Sequence, residues 1–422
     1  MFVRRSAAVL AATAVIGTAF TPAALADESP GATPSSSPSL AFPSALYGST
    51  DPTYDGVWRQ SLALLAQDTV GVKPAKQAVD WLVGQQCESG AFAAYRADPS
   101  AKCDAKTKVD TNSTGAALQA LEALDASDAV MGAAVTWLKS VQNKDGGWGY
   151  FPGTPSDPNS TSVVIGALEA ADTDVAGMKT KNGQTPYEAL RAFTIVCDKG
   201  IGAFGFPDKE GALTENADAT AAGVLGALGE GMVVEPGAKE SPKEAQCVSG
   251  DFVTIKDAAT GGAAYLAGAV AKNGYLKSVL PGAEDQPDHG TTADAVVALA
   301  ATGRSADTAK PLAWLEKNSG TWAAKSGPAA YAQLIFAAHA TGTDPRDFGG
   351  VDLVKELAAT GPTGTSSNSS DYSSVPVDNK ADSENAQDDG GVSLWWIIGV
   401  GLVGGIGVGF LISGRTKKDQ QP

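Results

Sequence analysis

The feature that most constrains this chain is a spacing. Aligned on the aromatic residue that precedes a glycine turn, residues 78–92 read AVDWLVGQQCESGAF, residues 134–148 read AVTWLKSVQNKDGGW and residues 191–204 read RAFTIVCDKGIGAF. Trp81, Trp137 and Phe193 stand 56 residues apart, and the turn aromatics Phe92, Trp148 and Phe204 keep the same interval. Two looser copies follow, AAYLAGAVAKNGYL (263–276) and LAWLEKNSGTW (312–322). A chain that repeats one unit builds by stacking it, because a single unit cannot bury its apolar face alone.

Each copy runs on into a second apolar segment: residues 112–124, 159–171, 218–231, 291–303 and 327–342. These segments are rich in Ala and Leu, and most open on Ser, Thr, Asn or Asp, residues that accept hydrogen bonds from the unpaired first amides of a helix. Helices rather than strands are therefore expected. The second helix of each copy carries small apolar residues almost all round, leaving no face for water, and belongs inside. The first mixes charged with apolar positions, as in Leu138, Lys139, Val141 and Gln142, and belongs outside. With residues 57–67 as an early helix there are about six pairs, and a ring of buried helices within a ring of amphipathic ones is an all-α toroid. Closure also removes the need for polar end caps.

The flanks read differently. Residues 1–26 place Arg4 and Arg5 ahead of an apolar stretch ending on Ala24, Leu25 and Ala26, the pattern of a signal peptide. Residues 27–46 form a Ser/Pro-rich linker, 47–361 the toroid, and 362–391 a Ser/Asn/Asp-rich stalk poor in apolar content. Residues 392–414 are expected to cross a membrane, since 394–413 are uncharged and long enough for its hydrocarbon core. The basic tail 415–422 then lies in the cytoplasm, leaving the N-terminus and the body outside. A net charge of −16 argues against nucleic acid as a partner. Cys87, Cys103, Cys197 and Cys247 all fall in the exported body, where two disulfides are expected and local pairing, Cys87 with Cys103 and Cys197 with Cys247, is favoured.

The turns QCESGAF (86–92) and QNKDGGW (142–148), with Asp198–Phe204 as a variant, fit the Gln-x-x-x-Gly-x-Trp/Phe motif, and over residues 55–345 the chain resembles the prenyltransferase and squalene-cyclase repeat family. That resemblance implies an (α/α)6 barrel, shared by terpene cyclases, protein prenyltransferases, complement thioester domains and cobalamin carriers of the transcobalamin and intrinsic-factor type. The Asp-x-Asp-Asp acid of protonating cyclases is absent, as are a nearby zinc-ligand set and a Cys-Gly-Glu-Gln thioester. The chain therefore leans away from catalysis. Glu122 and Glu169 occupy matching places in two copies and read as solvated helix ends.

Residues 109–121, VDTNSTGAALQAL, resemble the inner-helix signature of the cobalamin carriers. The resemblance implies that Asp110 and Thr111, and after them Asn112, Ser113 and Thr114, bind ligand at the barrel mouth. It departs from that family at Thr107, where the carriers place a cobalt-ligating His, and in lacking the small β-domain that closes over their ligand, a part that a separate β-domain protein is expected to supply. Matching polar helix starts add Asn159, Ser160 and Thr161, then Asp218 and Thr220, with Asp218 also read as a helix cap, and then Asp288, His289 and Thr292. Tyr150 and Phe151, in a loop leading to the mouth, complete the expected site. The reading is a membrane-anchored surface protein that captures a small molecule, cobalamin as the possible ligand, for an uptake transporter, with no certain cofactor. The alternatives are a terpenoid cyclase or prenyltransferase-like enzyme and a non-catalytic interaction scaffold.

Overall fold

The computed structural model describes residues 43–195, 202–237, 254–279 and 285–362, and the backbone of the short strands at 247–248, 251–252 and 365–366. Its helices are α1 (Gly56–Thr69), α2 (Lys76–Gly84), α3 (Thr111–Ala123), α4 (Asp128–Ser140), α5 (Pro158–Ala170), α6 (Pro186–Arg191) and α7 (Ala217–Leu228). They continue with α8 (Ile255–Ala271), α9 (His289–Ala301), α10 (Ser305–Asn318), α11 (Gly320–Ser326), α12 (Pro328–Thr341) and α13 (Leu353–Ala359). Helices α1, α3, α5, α7, α9 and α12 pack each on the next, and α12 returns to α1, so the inner ring closes. Outside it α2, α4, α6, α8, α10 and α13 lie against their partners. This is the α/α toroid expected from the repeat.

Burial separates the two rings as the composition suggested. In α3 every residue from Thr111 to Leu121 is buried, and in α5 every residue from Pro158 to Leu168. The outer α4 buries Ala134, Trp137 and Leu138 and leaves its other faces to solvent. The third copy is irregular: α6 stops at Arg191, so Phe193 packs just beyond a short outer helix.

Three polar devices repeat around the ring. Asp110, Asp157, Asn216 and Asp288 cap α3, α5, α7 and α9, accepting the backbone N–H of Ser113 (2.6 Å), Ser160 (2.8 Å), Ala219 (2.9 Å) and Thr291 (2.9 Å). A threonine one turn into each helix then accepts a buried backbone N–H from the preceding turn. Phe92 donates to Thr114 Oγ1 (2.9 Å), Trp148 to Thr161 (3.1 Å), Phe204 to Thr220 (3.0 Å) and Leu276 to Thr292 (3.0 Å). The motif glutamines close the turn: Gln86 and Gln142 donate from Nε2 to the carbonyls of Gly90 (3.0 Å) and Gly146 (2.7 Å).

The motif glycine is required twice over. Gly90 and Gly146 have φ of +92° and +95°, a region side chains avoid. A Cβ there would also stand 2.1 Å from the carbonyl oxygen of Ala133 and 2.4 Å from that of Thr185, in the next copy. Turn and neighbouring repeat are in backbone contact, and that contact sets the pitch of the stack.

The packed body is wider than the 47–361 span read from composition. Leu46, placed in the linker above, is buried, and the hydroxyl of Tyr47 lies within hydrogen-bond distance of Gln67 Oε1 and the carbonyl of Pro362. Thr365–Ser366 pair with Val72–Lys73. Backbone pairing, not apolar content, orders these edges, which is why composition missed them. The leader 1–26, the linker as far as 42, most of the stalk, the segment 392–414 and the tail lie outside the described residues, as does Cys197. No helix among the described residues is long and apolar enough to cross a membrane. Cys87 and Cys103 are disulfide-bonded, the local pairing that was favoured.

Candidate functional site

The inner helices all begin at one mouth, yet their polar starts divide into three sets. Asp110 and Asp288 are caps, and Ser113 and Ser160 present the amides that Asp110 and Asp157 satisfy. Thr114, Thr161, Thr220 and Thr292 are braces between turn and helix. Thr111 ties one copy to the next, its N–H reaching the carbonyl of Tyr150 (3.0 Å) and its hydroxyl that of Gly149 (2.9 Å). Asn112 is buried beside it. These groups are held by the protein itself, and the sequence could not separate such duties from ligand binding because both place Ser, Thr, Asn and Asp at a helix start.

His289, expected as a possible ligand-contact group at the same mouth, lies in an aromatic stack. Its ring is 5.3 Å from Trp322 at an interplanar angle of 11°, and 4.8 Å from Trp314. Burial depresses its basicity, so it stays neutral at physiological pH. Asp218 is not a cap: Asn216 takes that role, because the strand pairing that ends at Glu215 fixes where the helix starts. Glu169 accepts a hydrogen bond from the Tyr187 hydroxyl (2.8 Å) rather than pairing with Glu122.

Two cavities among the described residues bear on function. One lies on the axis and is about 60 Å³, touched by all six inner helices, with Gln119, Ser162, Asp218, Glu230, Asp294 and Gln333 as its polar wall and Val163, Leu225 and Phe336 among its apolar residues. Asn159 donates from Nδ2 to Asp218 Oδ2 (2.6 Å), and Gln333 Nε2 lies 3.0 Å from Asp294 Oδ2 and 3.2 Å from its Oδ1. Burial pushes Asp218 up to about 7 and holds Asp294 well above the usual carboxylate range, where the nearby Asp218 charge adds to the effect. Asp294 escaped the sequence reading. Its signal was there, a charged residue within the apolar run TTADAVVALAATG, on a helix with no face for water.

The second cavity, about 590 Å³, is an open groove beside the mouth, bounded by the loop that the Cys87–Cys103 disulfide closes. Tyr54, Tyr95, Tyr150 and Phe151 give it aromatic walls, Lys106 and Lys108 stand at its edge, and Asp110 lies at its base. Tyr150 and Phe151 meet edge to face at 4.7 Å. Tyr54 is 73% and Phe151 39% exposed, a cost in apolar hydration that packing does not recover. Burial raises Asp110 to about 7 and drives the Tyr150 hydroxyl above its ordinary range. The expected residues Asp110, Tyr150 and Phe151 therefore meet in one place, whereas Asn159 and Asp218 face the axis. Among the described residues no three His, Cys, Asp or Glu side chains could hold a metal ion.

Residues 109–185, from the cap of α3 to the cap of α6, match the squalene-hopene cyclase C-terminal domain. No curated protein sequence matches the chain. Among solved structures, a protein from Actinoplanes is 16% identical, with 71% of this chain and 93% of that one covered and a TM-score of 0.44. The ent-copalyl diphosphate synthase from Streptomyces platensis is 15% identical over 68% and 50% of the two chains, at 0.45. The type II terpene cyclase MstE from Scytonema is 14% identical over 64% and 71%, at 0.41. At such identities and scores these likenesses bear on neither activity nor ligand. The repeated turn and the closed double ring make the chain an α/α toroid, and residues 109–185 within it are similar to the squalene-hopene cyclase C-terminal domain.

Proposed function

We propose that this toroid binds a small molecule in the groove beside its mouth and holds it outside a membrane, tethered by residues 392–414 after removal of residues 1–26. The groove carries this reading: at about 590 Å³ it falls in the size range of ligand sites, and it combines aromatic walls with a few polar groups. The axial cavity, about 60 Å³, is too small for an isoprenoid chain or a corrin. The likeness of residues 109–121 to cobalamin carriers makes a corrinoid the ligand to test first, delivered to an uptake transporter and covered by a separate β-domain protein. In this reading Asp110, Tyr150 and Phe151 touch the ligand and the disulfide-closed loop shapes its seat. Ultrafiltration of the full-length chain with cobalamin at micromolar concentration tests the ligand, and Phe151→Ala with Tyr54→Ala tests the place. No retention would remove the corrinoid; retention indifferent to both substitutions would remove the groove.

A second reading, isoprenoid chemistry inside the barrel, draws on the family match and on the buried carboxyl groups of Asp218 and Asp294, which can hold protons near neutrality. It requires the axial cavity to widen far beyond its present volume. Incubation with radiolabelled prenyl diphosphates and squalene, with product analysis, tests it, and a null result across both substrate classes would set it aside.

A further inference from the structure

We infer that the axial cavity is a binding site for a small primary-ammonium group, the ammonium ion or the protonated end of a short amine, held by Asp218, Asp294 and Ser162, with Asn159 behind Asp218. The inventory of donors and acceptors leads there. Two side-chain donors reach this cluster, Asn159 Nδ2 and Gln333 Nε2, and both are already engaged with the carboxylates. Each carboxylate offers about four lone-pair positions, so most remain open. The Oδ1 of Asn159 is buried with no hydrogen-bond partner, and it belongs to the same amide whose nitrogen touches Asp218. Ser162, 4% exposed, lines the cavity, and its buried Oγ is likewise without a partner.

What the pocket lacks is equally specific. Among the described residues no Lys, Arg or His lines it. Arg59, the one Lys or Arg on the inner helices, is turned to Asp55 (3.3 Å) and to the hydroxyl and carbonyl of Thr50 (2.6 and 2.8 Å). Two carboxyl groups buried this deeply ionise only against a partner that brings positive charge, and the unpartnered Ser162 oxygen beside them accepts an N–H, so one compact group carrying both a charge and several N–H donors fits the site. A cavity needs about 10–15 Å³ of such space to hold one water, so 60 Å³ admits a head group a few waters in size. A quaternary ammonium is too bulky and has no N–H to give. A bare metal ion finds no three-ligand set among the described residues.

The test titrates the full-length chain at pH 8 with ammonium, methylammonium, tetramethylammonium and sodium chlorides at matched ionic strength, following thermal stability and ¹⁵N-ammonium resonances. Saturable stabilisation by ammonium and methylammonium, with none from the other two salts, is expected. Asp294→Asn keeps the shape and should weaken that affinity by about tenfold, a loss of about 1.4 kcal/mol; Ser162→Ala should weaken it less. Equal responses to all four salts, no saturation, or an Asp294→Asn variant that binds as the wild type would overturn the site. Because the salt comparison uses the unaltered chain, it decides the matter even if a variant fails to fold.

Discussion

Thr161 offers the sharpest test of how the repeat is held. Its Oγ1 accepts the N–H of Trp148 at 3.1 Å and lies 3.1 Å from the Trp148 carbonyl, with both residues wholly buried. Thr161→Val preserves the shape but replaces the hydroxyl with a methyl, leaving a buried amide unpaired. Such an orphan costs about 1–3 kcal/mol. With an unfolding entropy of about 2.1 cal/mol/K per residue and roughly 300 ordered residues, the melting temperature should fall by about 2–5 °C. Thr161→Ser keeps the oxygen and should recover more than half of the loss. Ser160→Ala, whose Oγ has no partner, should be neutral or slightly stabilising. Urea denaturation monitored by tryptophan fluorescence reads all three. A Val variant as stable as the wild type, or a Ser variant as weak as Val, would refute the brace.

Burial raises Asp110 from 3.8 to about 7, so the folded state holds a proton that the unfolded chain releases. The stability this confers is full below pH 3.8 and is lost as pH rises through 7, so wild type minus Asp110→Asn should decline across that window in urea midpoints measured from pH 4 to 8; a flat difference would contradict the burial argument. Replacing Cys87 and Cys103 by Ser releases a crosslink between residues 16 apart, worth about 3 kcal/mol in chain entropy, and should both lower stability and weaken any groove ligand, readable by denaturation and ultrafiltration. Phe151→Ala, at a 39% exposed position, should leave the melting temperature nearly unchanged while weakening groove binding, and a large stability loss would show that the ring is packing instead.

The fold was legible because it is written in a period. The interval between Trp81, Trp137 and Phe193, and the glycine that precedes each turn aromatic, are demanded by backbone contacts between copies, so they leave a trace in every repeat. The site left no such trace. Thr161 and Asn159 are two residues apart in one polar triplet, but one braces a turn and the other reaches Asp218 on the next inner helix. Residue type alone cannot tell them apart. The outer limits were obscured for a different reason: residues 365–366 join the body through strand pairing, which needs no apolar side chain.

Helix register separates these duties. Counting from the first residue of α3, α5, α7 and α9, the residue before it caps and the fourth is a bracing Thr, at 114, 161, 220 and 292; α12 is counted the same way from Pro328. Residues three and four apart share a helix face, and the positions turned to the axis are the second, fifth, sixth and ninth, with Ser162 and Ala221 at the fifth. Asp218 is a second-position residue; Val163, Ala222, Asp294 and Gln333 are sixth; Gln119, Leu225, Val297 and Phe336 are ninth, and all of them line the axial cavity. Caps and braces are fixed by the fold's own hydrogen bonds. The axial layers carry no such obligation, and small apolar residues satisfy them at positions 163 and 222. A carboxylate at 294 therefore costs desolvation that the ring does not require. Architecture accounts for Thr161 and Asp110 but not for Asp294, and a residue retained against its own burial cost, paired to Gln333 on the adjoining helix, is where function on the axis is to be sought.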